Sequence, residues 1–171
     1  MQTFSIRKAF LVPLGLLLAL AVGLFIVCLV QGQPAAKIAI LGFIILPVAL
    51  LFIESLARRV VVGEQEVTVF KVLRKKTLRL AEVTEVETVR VRKRVFLTLC
   101  AGDEFVILSN AYADFPGMVA ALLGRVPSEA VSEETGKMAT NPPVKTTDIV
   151  TCWLAVALLA FILYVQLSGK F

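Results

Sequence analysis

The chain contains no histidine, and so lacks the commonest general base, the commonest metal ligand and the usual switch near neutral pH. Its three cysteines, Cys28, Cys100 and Cys152, have no CxxC spacing, so neither a zinc site nor a thioredoxin-type redox pair is read from them. Asp103 and Glu104 are adjacent acids in a turn, where solvation explains them more simply than catalysis. Glu54 precedes Arg58 by four residues, the order that suits a helical ion pair. An intramembrane proton or ion site there needs partners deeper in the apolar runs, and only Thr151 and Gln166 offer themselves. The expectation is a protein that is not an enzyme and uses no metal and no cofactor.

Positive charge is what the sequence does concentrate. Lysine and arginine total 18 against 13 acids, and most of the cations away from the ends fall in two short runs. One holds Lys71, Arg74, Lys75, Lys76 and Arg79, the other Arg90, Arg92, Lys93 and Arg94. Exposed hairpins often carry such residues for solubility or to blunt a sheet edge. A nucleic-acid partner is not expected, because no aromatic side chains are interleaved for base stacking.

Composition sets the surroundings in which these runs must work. Hydrophobic residues make up 58% of the 171, charged residues 18%, and mean hydropathy is +0.85, above what a water-soluble domain carries. Three apolar runs account for the excess: Ala9 to Val30, about Ala35 to Ala57, and Ile149 to Leu167. Each is long enough, at about 1.5 Å per residue, to cross a hydrocarbon core of roughly 30 Å. A cleaved signal peptide is the competing reading of the first, but its apolar stretch is too long and no A-x-A site follows. Trp153 and Tyr164 sit near opposite ends of the third run, as interfacial aromatics do.

Arg7, Lys8, Arg58 and Arg59 flank one side of the first two runs, with only Lys37 and Lys170 on the other. This predicts a cytoplasmic N-terminus and middle domain in a bacterial inner membrane, with the C-terminus outside. Gly15, Ala19 and Gly23 form a small-residue stripe on the first helix, expected to pack against another helix of the same chain in preference to a second copy. Pro13 and Pro47 are expected to kink their helices.

The expected organisation is a transmembrane hairpin over 1–57, a domain over 58–126, a flexible linker over 127–148 in which Asn141-Pro142-Pro143 excludes regular structure, and a third span with a short tail over 149–171. Within the domain, β-branched runs predict six strands: Val60–Val62, Glu66–Val72, Thr77–Leu80, Val83–Arg92, Val95–Cys100 and Phe105–Ser109. A phase slip between Val86 and Val89 suggests a bulge. Turns are expected at Gly63 and at Ala101-Gly102-Asp103. Asn110 is the expected N-cap of a helix from about Tyr112 to Leu123 that presents Phe115, Val119, Leu122 and Leu123 on one face.

Arg59-Val60-Val61-Val62-Gly63-Glu64-Gln65-Glu66-Val67-Thr68-Val69, Leu80-Ala81-Glu82-Val83-Thr84-Glu85-Val86 and the helix after Ser109-Asn110 together resemble the bacterial pleckstrin-homology-like domains attached to membrane spans. The resemblance implies a mainly-β domain, a partly open antiparallel barrel capped by one C-terminal helix, with a non-catalytic role in contacting lipid headgroups or proteins. In eukaryotic relatives a basic pair in the first hairpin often holds phosphoinositide phosphates. The run from Lys71 to Arg79 resembles that arrangement in charge but departs from its K-x-R ending.

If each strand reverses the one before, alternate turns share an end of the domain. The two basic turns then fall at the membrane-near end, and Glu64, Glu66, Glu82, Asp103 and Glu104 at the far end. All nine lysines and arginines of the two runs are thus expected to face an anionic leaflet, each worth about 1 kcal/mol close to the surface. The expected partners are membrane phospholipids, with a membrane protein or a second copy as the alternative; an accessory subunit of a larger complex would use the acidic turns and the small-residue stripe.

Overall fold

The structure is a computed structural model that describes residues 1–141 and 146–169. In chain order the elements are β1 (Gln2–Ser5), α1 (Lys8–Val30), α2 (Ala35–Ala57), β2 (Arg59–Val62), β3 (Glu66–Phe70), β4 (Lys75–Arg79), β5 (Glu85–Val91), β6 (Arg94–Ala101), β7 (Glu104–Ser109), α3 (Phe115–Leu123), α4 (Glu133–Thr140) and α5 (Thr147–Leu167). They form two compact units: Met1–Arg7 with Ala57–Lys145, and Lys8–Leu56 with Thr146–Phe171.

In the helical unit, α1, α2 and α5 are each long and apolar enough to cross a membrane. Both prolines lie inside continuous helices. α1 ends in a Schellman turn: Gly32 takes the left-handed backbone (φ 62°), with Gly32 N–H donating to Leu29 O at 3.1 Å and Gln33 N–H to Cys28 O at 3.0 Å. Gln31 there donates to the carbonyl of Gln166 at 3.3 Å, and their side-chain amides also pair, so the C-terminal ends of α1 and α5 lie together. α1 and α5 therefore run parallel. Besides Pro13, the side chains that α1 buries, Leu14, Ala21, Leu24 and Cys28, recur at coiled-coil spacing, whereas Ala19 is exposed and a Cβ at Gly23 would meet nothing within 4 Å. Of the expected small-residue stripe, Gly15 has a neighbour on α2, the Phe52 ring 3.1 Å from where its Cβ would stand. The larger residues bury more surface than the stripe does, and α1 packs against α5.

The second unit contains a four-stranded antiparallel sheet in the order β1-β2-β3-β4 and a three-stranded one in the order β5-β6-β7. Alternation drives both. Val60 and Val62, Val67 and Val69, Val95, Leu97 and Leu99, and Val106 and Leu108 point inward from their strands and are buried. Each such side chain contributes about 1.5–3 kcal/mol relative to exposure. All six strands expected between 58 and 126 are present. The turns at Gly63 and Gly102 are also present: Gly63 N–H donates to Glu66 O at 2.8 Å where a Cβ would crowd that oxygen, and Gly102 adopts φ 58°.

Three local expectations are corrected. The β5–β6 register is unbroken from Glu85↔Cys100 to Val91↔Arg94, so there is no bulge; the inward position after Val86 is taken by Thr88, and Val89 and Val91 stay on the exposed face. The helix N-cap is Asp114, whose carboxylate accepts from Gly117 N–H at 3.1 Å, and α3 starts at Phe115. Asn110, nearly fully buried, accepts from Val95 N–H at 3.3 Å and donates to Lys93 O at 3.0 Å, pinning the β5–β6 turn to the end of β7.

Sequence reasoning missed β1. Its residues pair with β2 from Gln2↔Val62 to Ser5↔Arg59, so α1 and α2 interrupt the sequence between two neighbouring strands. The chain after β1 is also tied down: Ala113 N–H donates to Ser5 O at 2.7 Å, and Ile6 bridges Tyr112.

The expected flexible linker is structured over its described part. Val131 bridges Val86 in parallel, Ser132 caps α4, and Thr135 is completely buried. The Thr135 hydroxyl donates to Val86 O at 3.1 Å and lies 2.9 Å from the hydroxyls of both Thr88 and Ser132. Pro142 and Pro143 lie outside the described residues. Replacing Thr135 by Val keeps its shape but leaves buried hydroxyl partners unsatisfied, a loss of about 1–3 kcal/mol. The expected outcome for T135V is faster amide exchange over 131–140, with the exchange of β6 unchanged.

Candidate functional site

The β3–β4 hairpin carries the first basic run. Phe70 pairs with Lys75, and Lys71 N–H donates to Arg74 O at 2.8 Å, which leaves Val72 and Leu73 as a two-residue loop. Such loops favour Asn, Asp and Gly. Here the tip is apolar: Leu73 is 92% exposed and Val72 46%.

Aromatic rings organise the cations behind the tip. The Arg59 guanidinium lies 4.6 Å and the Lys75 ammonium 5.5 Å from the centre of the Phe70 ring, while Lys76 lies 4.6 Å from that of Phe105. These contacts hold long side chains at small cost because the ring faces attract cations. Between edge strands β4 and β7 runs an open groove of about 280 Å³ lined by Val69, Lys71, Arg74, Lys76, Phe105, Val106 and Ile107. Three cations around one groove suit a phosphate or carboxylate group.

The second run forms the β5–β6 turn. Val91 pairs with Arg94, Arg92 takes the left-handed backbone at φ 56°, and Arg90 Nε donates to Arg92 O at 3.4 Å. Asn110 joins this turn to the 110–113 segment that in turn holds Ser5 and Ile6. On the other side, Phe70 pairs with Arg59, which pairs with Ser5. Both basic turns thus border the end of the sheets where β1 finishes and β2 begins.

Two parts of the expected charge layout differ. Arg79 belongs to the opposite end of β4: it pairs in register with Glu66 and forms a 2.9 Å ion pair with Glu82. The reason is that the strand starts at Lys75, which removes Arg79 from the turn. The acidic turn before Glu104 is not at a far pole either, since Phe105, the next residue, meets Lys76 near the start of β4. The strand-parity argument holds within the four-stranded sheet, where Glu64 and Glu66 lie opposite the Lys71–Arg74 tip, and fails across to the other sheet because the two are separately hydrogen-bonded.

Phe70, Phe105, Val72 and Leu73 were not singled out from sequence. A usable signal existed: two apolar residues enclosed by Lys71 and Arg74 in a segment too short to be buried. On the exposed face of β5–β7, Val89, Val91, Phe105 and Ile107 are each about half exposed. No family model, curated protein or solved structure matches the chain.

Proposed function

We propose that this is a non-enzymatic integral membrane protein whose β unit is a pleckstrin-homology-like module that binds anionic lipid headgroups at the cytoplasmic face of a bacterial inner membrane. What supports the fold reading is that antiparallel strands in two sheets precede the helix α3, where the resemblance implies antiparallel strands capped by one C-terminal helix; β1 and α4 are additions to that layout. The single observation that carries the function is the grouping of Lys71, Arg74, Lys75 and Lys76 with Arg59 at the sheet end where β2 begins. That end is tied to the apolar helices by the chain itself, because Arg7 and Ala57 are the residues at which α1 and α2 attach. Three helices already anchor the protein, so headgroup attraction orients the module and is not needed to localise it.

The test uses the full chain in nanodiscs with and without anionic lipid. Amide exchange over 71–76 is expected to slow in the anionic discs and to return to the zwitterionic value in a K71E/R74E/K76E triple variant. At about 1 kcal/mol per cation, this amounts to a loss of roughly two orders of magnitude in protection. Identical exchange in both discs contradicts the reading.

The exposed strip of Val89, Val91, Phe105 and Ile107 favours a second reading, an accessory subunit whose sheet face is covered by a membrane-protein partner or by a second copy. Native mass spectrometry of gently solubilised complexes separates the two: a stoichiometric protein partner supports the subunit reading, and a monomer with bound anionic lipid supports the first.

A further inference from the structure

We propose that the β3–β4 hairpin is a membrane-inserting tip, with Leu73 and Val72 dipping below the phosphate level of the bilayer while Lys71, Arg74 and Lys76 hold lipid phosphates around it. The proposal rests on the reading of the β unit as a lipid-facing module and adds a contact that charge alone does not predict.

Three observations carry it. Leu73 and Val72 occupy the loop of a two-residue hairpin, the position where turn chemistry favours small polar residues, and Leu73 is almost wholly uncovered at 92% exposure. Cations lie on both sides of the pair, Lys71 before it and Arg74, Lys75 and Lys76 after it, which is the composition of segments that sit at the headgroup–acyl boundary: apolar residues inside, lysine and arginine at the phosphates. Covalent geometry then limits how far the base of the tip stands from the last residue of α2. Phe70, at the base of the loop, faces Arg59 across one strand spacing of about 5 Å, and Arg59 is two residues beyond Ala57, the last residue of α2, a reach of about 7 Å. The tip thus projects from a point within about 12 Å of that residue, whatever the orientation of the rest of the unit. A protein partner would also cover the pair, but it gives no reason for the cations to enclose them on both sides.

The chain has one tryptophan, Trp153, so a W153F background with L73W places a single indole at the tip; W153F with E64W, in the exposed turn at the other end of the same sheet, is the control. Both full-length variants are reconstituted in anionic nanodiscs containing lipids brominated at shallow or deep acyl positions. The expected result is a blue-shifted indole at position 73 that loses most of its emission to shallow bromines, with position 64 unquenched. Equal, weak quenching at both positions overturns the insertion, as does a blue-shifted position 73 that no bromine reaches, because that indole is covered by protein. If position 73 stays unquenched while exchange over 71–76 still depends on anionic lipid, insertion falls and the headgroup reading survives. If it is quenched equally in zwitterionic discs, insertion stands and the headgroup reading falls.

Discussion

A fragment of residues 58–126 is expected to show no cooperative unfolding transition, whereas a chain carrying 1–7 joined to 57–141 through a short Gly/Ser linker is expected to melt cooperatively. The fragment lacks β1, which pairs along the whole of β2 and whose Phe4, with Ile6 just beyond it, is buried; it also lacks α4 with the buried Thr135. Losing two large apolar side chains removes about 3–6 kcal/mol. Even a complete core the length of the 58–126 fragment holds only about 3–5 kcal/mol. A short linker suffices because Ser5 and Arg59 face each other in adjacent strands, about 5 Å apart. Circular dichroism melts of the two chains check the expectation, and equal midpoints contradict it.

The second large effect is at Phe115, among the largest fully buried side chains, which opens α3 directly after its Asp114 cap. In the linked chain F115A is expected to lower stability by about 3–5 kcal/mol, enough to leave much of the population unfolded without denaturant. F105A, at a ring 54% exposed, is expected to change stability by no more than about 0.5 kcal/mol. Urea titrations of the two variants should therefore separate by nearly the whole stability of the domain. Similar midpoints would mean that α3 is not part of the cooperative core.

What was legible in the sequence follows from periodicity. The three apolar helices and the six strands from Val60 to Ser109 announce themselves by unbroken apolar runs or by alternation, and all are present. β1 was not legible because Gln2–Ser5 is too short for a period and stands against an apolar run, where it reads as a leader. Its partner strand lies on the far side of two helices, and local patterning carries no information about such pairing. α4 was hidden for the opposite reason. Its core contact is a threonine and its composition is that of a loop, so burial there depends on hydrogen bonds to Val86 and Thr88 and leaves no hydrophobic trace.

The candidate site was half legible. Its cations were found by counting, but Arg79 was misplaced because a strand boundary two residues early moves a side chain to the other end of the sheet. The rings that hold the cations were missed, since cation–aromatic pairs join β2 to β3 and β4 to β7, and only the folded register makes them neighbours.

The interrupted sheet has a consequence for biogenesis. Gln2–Ser5 is synthesised before two helices long and apolar enough to cross a membrane, yet the strand it pairs with is made after them. The strand therefore waits, and the long sequence separation makes this pairing a late and slow event. It is also conditional on topology: where α1 crosses a bilayer, α2 must cross back, because otherwise Gln2–Ser5 and β2 end on different sides and the sheet cannot form. Correct crossing and a finished fold become one checkpoint, and a molecule that fails it keeps an unpaired β2 edge open to pairing with another chain.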